Sequence, residues 1–343
     1  MNILVTGATG FVGSVLMPRL IERYGAASVS AFVLPGDRIP ESWAGKGVKI
    51  FEGDIADPAD VRAAVAGQTH VVHLAGLISY WKGDRERLSR INRDGARTVG
   101  EACVENKIER LIHVSSVGAI GFHKDGRPAD EDTPYNWPDS ILYMFSKHEG
   151  QLVVEDLIRT RGLQAIIFNP ASIMGPGDHD PRTPHNRLYG MISKNRITGS
   201  FTGGLAVVDV RDLVELLGDA LEGKGRNGQC YLAVGANLTY SETIRLIGRA
   251  CGLKSRPIPV PAGLVAIGGG LLEGLSGLIK KRPLLTFAYG RLSGWRAYYD
   301  DGKSVREFGH VYRPVERTIA DGWEYYRRNH GKVIGEKENN PPS

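Results

Sequence analysis

Cysteine is scarce: Cys103, Cys230 and Cys251 are the only three in 343 residues. Three scattered thiols build neither a disulfide framework nor a zinc site, and an odd count fits a reducing compartment better than an oxidising one. A strong charge of one sign is also lacking. The net charge is only +5, and no compact Lys/Arg block interleaves with aromatics, which argues against a nucleic-acid partner. A mild positive balance instead suits an anionic cofactor. The N-terminus has no charged region leading into a long apolar stretch. It enters Ile3-Leu4-Val5 at once, so no signal peptide is expected and the location reads as cytoplasmic.

What is present is ordinary globular material, 42% hydrophobic and 24% charged. Short apolar runs alternate with longer helical patterns. Strands are expected at 3–5, 28–34, 48–51, 71–74, 111–114 and 165–169. Helices are expected at 12–23, 57–66, 88–106 and 143–160. Near-continuous apolar strands separated by helices predict an α/β fold, a doubly wound parallel sheet of the Rossmann type covered on both faces. The rhythm breaks after Asn169. Residues 207–221 read as a helix, 229–234 as a strand, and 242–251 and 316–328 as helices. The expected organisation is a dinucleotide-binding domain over 1–174, with 205–228 packing back onto it. A smaller α+β substrate domain takes 175–204 and 229–335, and 336–343 is a disordered tail. Residues 262–279 are strongly apolar but hold Glu273 and six glycines, which argues against a membrane span. The Lys280-Lys281-Arg282 that follows raises peripheral membrane contact through 262–282 as a second reading beside that of a buried helix.

The first strand runs directly into Thr6-Gly7-Ala8-Thr9-Gly10-Phe11-Val12-Gly13 and then a helix. Glycines there permit a tight turn and let the backbone approach a pyrophosphate at the positive end of the helix. The candidate cradle is Gly7, Thr9, Gly10, Phe11, Val12 and Gly13. At the second strand end, Asp37 would suit the ribose hydroxyls of NAD(H), whereas Arg38 would suit the 2′-phosphate of NADP(H). The absence of an acid on the strand itself tilts the expectation to NADP(H). Asp54 and Ile55 after the third strand, and Leu74, Ala75 and Gly76 after the fourth, are further cofactor candidates.

Tyr143 and Lys147 lie one helical turn apart on one face. A phenol has a pKa near 10, and a neighbouring ammonium pulls it toward the working range, so the pair suits acid-base chemistry. Lys147 could also hold the cofactor ribose. Ser116 follows the fifth strand, at the carboxyl edge where open α/β sheets bind ligands, and can hydrogen-bond a substrate oxygen. Ser115 is the second candidate for that role. Nine histidines raise a metal, but no closely spaced Cys/His set supports one and none is expected. Tyr80, Trp81, His123, Trp137, Met174, His179 and His185 are candidates to line a substrate cleft, by their position in loops after strands.

With these residues in place the chain resembles the extended short-chain dehydrogenase/reductase superfamily (NAD-dependent epimerase/dehydratase family). The matching stretches are 6–13, 53–57, 71–76, 114–121, 143–147, 169–178 and 207–213. It is most similar to the dihydroflavonol-4-reductase and 3β-hydroxysteroid dehydrogenase branch, including bacterial members labelled hopanoid-associated sugar epimerase. The resemblance implies that Tyr143 is the general acid/base, Lys147 its tuner and ribose ligand, and Ser116 the carbonyl polariser. It puts Asn169, Pro170 and Ser172 beside the nicotinamide, and implies a homodimer. Two family features are missing. Val117-Gly118 stands where 4,6-dehydratases carry an acidic pair, and no arginine precedes Val207-Val208-Asp209 to hold a sugar-nucleotide diphosphate. The expected function is therefore interconversion of an apolar aldehyde or ketone and its alcohol. The alternatives are an NAD-retaining sugar epimerase or isomerase, and a catalytically silent dinucleotide sensor.

Overall fold

The computed structural model describes residues 1–197, 199–279 and 286–330. The expected tail at 336–343 and the basic triplet at 280–282 lie outside the described residues. The first half of the chain runs β1 (Ile3–Thr6), α1 (Phe11–Tyr24), β2 (Val29–Val33), β3 (Lys49–Glu52), α2 (Pro58–Val65) and β4 (His70–His73). A nearly continuous helix follows, made of α3 (Arg85–Leu88), a π-helical stretch (Ser89–Asp94) and α4 (Gly95–Glu105). Next come β5 (Arg110–Val114), α5 (Leu142–Arg161) and β6 (Ala165–Pro170).

The second half runs β7 (Ser172–Met174), α6 (Pro184–Ser193), β8 (Gly199–Phe201), β9 (Gly204–Asp209) and α7 (Val210–Leu221). It continues with β10 (Cys230–Ala233), β11 (Ala236–Thr239), α8 (Tyr240–Ala250), β12 (Ile258–Val260) and α9 (Ala262–Ile279). It closes with α10 (Phe287–Leu292), β13 (Arg296–Ala297), α11 (Gly302–Phe308) and α12 (Val315–His330). Among the described residues, no helix is long and apolar enough to cross a membrane.

Seven strands form one parallel sheet in the order β3-β2-β1-β4-β5-β6-β10. Its central strands are largely apolar because both faces are covered, although β4 and β5 carry the buried histidines His70, His73 and His113, and the edge strand β3 is mostly exposed. Ile3, Val5, Ala31, Val72, Ile112 and Ile166 pack into one layer, while Leu4, Phe32, Val71, Leu111 and Ile167 pack into the other. Each valine, leucine, isoleucine or phenylalanine among them contributes about 1.5–3 kcal/mol on full burial, which keeps both faces predominantly apolar. The strand order reverses between β1 and β4, which opens a crevice at the carboxyl ends of those strands. The glycine turn after β1 and the segment after β4 both end there.

Two elements differ from expectation. The helix expected over 207–221 is a strand and a helix in succession. Val207 and Val208 pair with β7 and β11, and Asp209 then caps α7 by accepting from the Arg211 amide at 2.8 Å. Residues 230–233, expected in the substrate domain, instead form the seventh strand beside β6, where Tyr231 and Leu232 are fully buried. The smaller sheet is β11-β9-β13, with β7 also on β9. Met174, Tyr189, Ile247 and Ile319 build a separate core beneath it.

Candidate active site

The turn after β1 is made by glycines that nothing larger could replace. Gly7 has φ +68°, and a Cβ there would lie 2.8 Å from the Ala75 nitrogen. A Cβ on Gly13 would lie 2.5 Å from the carbonyl oxygens of both Gly7 and Ala8. The chain folds back on itself there, and α1 starts at Gly10 with no side-chain cap and no acid in its first turn. The first amides of a helix have no partner within the helix, so this end suits an anion such as a dinucleotide pyrophosphate. Thr9 turns away and donates to Asp37 Oδ2 at 2.7 Å. Phe11 lies against the His185 ring at 5.0 Å, and Val12 is half-buried.

The other cofactor candidates divide. Leu74, Ala75 and Gly76 border the glycine turn, and the Ala75 amide donates to Thr6 Oγ1 at 3.2 Å. Asp37 is drawn onto the turn, while Arg38 projects into solvent with only a loose pair to Glu41 at 3.7 Å. The Asp54 carboxylate accepts from the Ala56 amide at 2.9 Å and pairs with Arg90. Ile55 is buried, with both its side chain and its carbonyl against Gly95. Asn169 and Pro170 are buried and Ser172 is exposed.

At the end of β5 the three catalytic candidates meet. Ser116 accepts from the Gly118 amide at 3.1 Å and caps the turn that follows. Tyr143, in the first turn of α5, brings its phenol beside Ser116. One turn later Lys147 donates to the Val114 carbonyl at 3.1 Å. Ser115 Oγ is buried without a hydrogen-bond partner and does not join them. Burial pushes the Tyr143 phenol above its ordinary value, and the neighbouring Ser116 hydroxyl pulls it part of the way back. Burial also pushes the Lys147 ammonium down to about 8. Desolvation dominates both groups, and Lys147 is not among the influences on the phenol, so the expected lowering of Tyr143 by its ammonium is not seen.

Several supporting residues were not foreseen. Asn92 sits in the π-helical stretch, a feature frequent at functional sites. It donates to the Leu77 carbonyl at 3.0 Å and to Ser146 Oγ at 2.9 Å, and accepts from the Leu77 amide at 2.8 Å. A Cβ on Gly150 would lie 2.2 Å from the Asn92 carbonyl, so α5 touches the π-helical backbone there directly. Gln151 continues the Tyr143, Lys147 register by one more turn, a signal that was readable in the sequence. It receives the Asn169 amide, which also reaches the Ser116 carbonyl. Beneath Lys147 lie His73 and His113, stacked at 5.2 Å on adjacent strands. His73 is pushed down to about 3 and His113 well below its usual range, by burial first and by the nearby Lys147 charge as well. Both rings are neutral at physiological pH.

Of the candidate cleft residues, Tyr80 lies edge-on to Tyr143 at 5.7 Å, with Trp81 beside it in the chain. Trp137 is buried and donates to the Ile120 carbonyl at 2.8 Å, within an aromatic group formed with Phe122 and Trp295. Met174 belongs to the separate core, and His179 lies out against Tyr325. His185 pairs with Asp178 at 2.8 Å beside the glycine turn, and His123 is half-buried. Among the described residues the one cluster with metal-ligand spacing is Asp212, Glu215 and His310, but Arg313 already binds both of its carboxylates.

A family model described as the NAD dependent epimerase/dehydratase family matches residues 3–231. A Synechocystis protein provisionally assigned as a dihydroflavonol 4-reductase is 28% identical, covering 96% of this chain and 95% of its own. Sterol demethylase protein B of Methylococcus capsulatus is 28% identical, over 95% and 98%. The solved structure of gox2253 superimposes with a TM-score of 0.82 at 29% identity, covering 96% of this chain and 98% of its own.

Proposed function

The chain belongs to the NAD-dependent epimerase/dehydratase family, and from that premise we propose that it interconverts an apolar aldehyde or ketone and its alcohol. It is an NAD(P)-dependent enzyme of the extended short-chain dehydrogenase/reductase type. The observation that carries the proposal is the meeting of the Tyr143 phenol with Ser116 at the carboxyl end of β5, with Lys147 one turn behind Tyr143 on the same helix and bonded to the Val114 carbonyl. A nicotinamide, when bound, supplies or takes the hydride.

Tyr143 and Ser116 bring two hydroxyls together at the end of β5, where both can serve one substrate oxygen. In reduction, Tyr143 Oη gives its proton to the substrate oxygen as the carbonyl carbon gains hydride, and Ser116 Oγ donates a hydrogen bond to that oxygen. A phenol held above its ordinary pKa stays protonated at neutral pH, which favours the reductive direction there. Lys147 lies 3.6 Å from a Cβ built on Gly76, on the cofactor side of the phenol, where its ammonium can hold the ribose. The ring of Tyr80 makes the substrate side aromatic rather than charged. The run Gly203–Val208 that leads into Asp209 holds no arginine, which weighs against a sugar-nucleotide diphosphate.

Asp37 bears on the cofactor. Its carboxylate, bonded to Thr9 on the glycine turn, would repel a 2′-phosphate, and Arg38 is turned outward. This supports NAD(H) rather than the NADP(H) that the sequence favours. The test supplies NADH or NADPH with a panel of apolar aldehydes and ketones and follows loss of the reduced nicotinamide. Turnover that vanishes in Tyr143→Phe supports the proposal. Tightly retained NAD with no net consumption on any carbonyl would instead favour the isomerase.

A further inference from the structure

His73 ends β4 beside Thr6, the last residue of β1, and the two are partners in the strand register. Their side chains meet: Thr6 Oγ1 lies 2.7 Å from His73 Nδ1, with both residues buried. At this point the two strands part. Gly7, at φ +68°, turns the chain away from the sheet, while β4 runs on into Leu74-Ala75-Gly76. The Leu74 amide still donates to the Thr6 carbonyl at 3.2 Å. The next amide, that of Ala75, donates instead to Thr6 Oγ1 at 3.2 Å. The threonine side chain thus keeps the two segments joined where the backbone pairing ends.

The hydrogen-bond network assigns the tautomer of His73. A threonine hydroxyl carries one proton. Thr6 Oγ1 accepts from Ala75, so its own proton goes to His73 Nδ1, at the short distance of such a bond. His73 then carries its ring proton on Nε2. A proton on Nδ1 would point at the same oxygen and strip the buried threonine hydrogen of that acceptor, which is costly. Burial first, and the Lys147 charge second, push the ring down to about 3, which keeps it neutral and able to accept. The His113 ring, stacked on it at 5.2 Å, restrains its plane.

We infer that His73 is a positioning residue for the dinucleotide, acting through Thr6 rather than by touching the cofactor. The segment it holds lies between two parts of the site. A Cβ on Gly7 would lie 2.8 Å from the Ala75 nitrogen, so the glycine turn rests on Ala75. A Cβ on Gly76 would lie 3.6 Å from Lys147 Nζ and 3.3 Å from Asn92 Oδ1, so the next residue borders the catalytic lysine. Slippage of Ala75 would shift the turn and the lysine relative to each other, and a bound dinucleotide must satisfy both. The inference rests on the proposed binding of a dinucleotide at the glycine turn and on no particular substrate.

The first test is the tautomer. Nitrogen-15 spectra of the imidazoles in the cofactor-free protein should show His73 with a bare Nδ1 and a protonated Nε2, and a proton on Nδ1 would overturn the inference. The second is calorimetric titration with NADH or NADPH, whichever the protein binds more tightly. His73→Leu removes the acceptor and should weaken binding about tenfold, raising KM for the dinucleotide more than it lowers kcat. His73→Asn sets an amide oxygen near the place of Nδ1 and should stay within about threefold of wild type. Thr6→Val should weaken binding at least as much as His73→Leu, and adding His73→Leu to it should cost no more than about twofold further, because both break one chain of bonds. Should His73→Leu fail to fold, Thr6→Val against Thr6→Ser makes the same comparison, with the serine variant close to wild type. An asparagine variant as weak as the leucine variant, or full losses that add in the double variant, would reduce His73 to a packing residue and overturn the inference. Binding is read without turnover, so a chain that holds the dinucleotide but reduces no carbonyl keeps this role for His73 and loses the proposed activity.

Discussion

Asn169 donates its side-chain amide to the carbonyl oxygen of Ser116 at 2.8 Å, across the ends of two neighbouring strands, and has no exposed surface of its own. The second proton of that amide goes to Gln151 Oε1 at 2.7 Å, and Gln151 in turn donates to Glu155 at 2.9 Å. Tyr143, Lys147, Gln151 and Glu155 are successive positions on one face of α5. The helix that carries the acid-base pair therefore also braces the serine opposite it. Asn169→Ala should lower kcat about tenfold or more, with a smaller effect on cofactor binding, because Ser116 loses its support while the glycine cradle is untouched. It should also destabilise the fold by about 1–3 kcal/mol, since Gln151 keeps a buried acceptor without a partner. Steady-state kinetics beside denaturant titration separate the two effects, and an unchanged kcat would remove Asn169 from the positioning set.

Tyr143→Phe removes the proton donor and keeps the ring against Tyr80. Carbonyl reduction should fall by about 10²–10⁴-fold while the dinucleotide still binds. The raised phenol pKa fixes the sign of the pH dependence. Reduction needs the phenol protonated and should decline only in the alkaline range, whereas oxidation of the alcohol needs the phenolate and should rise there. Rate profiles in both directions measure this, and an oxidation rate that falls with pH would contradict the assignment.

Lys147 carries its charge at a cost to the fold. Its pKa falls to about 8 in the folded protein, against about 10.4 for an exposed lysine. Below the folded value it is charged in both states, and the desolvation penalty is present in full. As pH rises from about 8 toward the unfolded value, the folded state sheds the proton first and the penalty is relieved. Stability from this group therefore increases with pH across that window. Cofactor-free Lys147→Met should be inactive yet more stable than wild type at neutral pH by about 2–3 kcal/mol, and the gap should narrow between pH 8 and 10. Urea titrations at several pH values test it, and equal stability at neutral pH would count against a buried charge.

Much of the fold was legible because a sheet covered on both faces favours apolar strands; β1, β2 and β6 read that way, and β4 and β5 keep the apolar pairs Val71-Val72 and Leu111-Ile112 beside their buried histidines. The glycine turn and the Tyr143, Lys147 pair were legible for the same kind of reason: local spacing sets their geometry. Strand β9 was not. Val207 and Val208 stand next to Asp209 and a helix, and only pairing with β7 and β11, distant in sequence, makes them a strand. Asn92 was hidden because its partners Leu77 and Ser146 come from other segments. Asn169 was placed beside the nicotinamide by resemblance, whereas its bonds in the structure run to Ser116 and Gln151.

Cofactor choice turns on Asp37. Asp37→Asn removes the negative charge from the glycine turn while retaining an acceptor for Thr9. The ratio of kcat/KM for NADPH to that for NADH should rise about tenfold to a hundredfold, in keeping with loss of a like-charge repulsion. Arg38→Ala, which alters an exposed side chain, should leave the ratio within about twofold. The reverse pattern would restore Arg38 as the selector and NADP(H) as the cofactor.

The carboxylate of Asp212 has no exposed surface, and Arg313 binds it through both its side chain and its backbone amide, the latter at 2.9 Å. The same guanidinium reaches Glu215 at 2.7 Å and so joins the loop before α12 to α7, which packs on α1 behind the glycine turn. A buried ion pair adds little over an apolar pair, but breaking one strands a charge. Arg313→Met should therefore cost about 3–5 kcal/mol, far more than loss of the exposed Arg182–Asp180 pair, which solvent screens. Adding Asp212→Asn to Arg313→Met should recover most of the loss, because the stranded charge is then gone. Thermal denaturation of the single and double variants forms a closed cycle, and additive losses in that cycle would show that the two residues are not coupled.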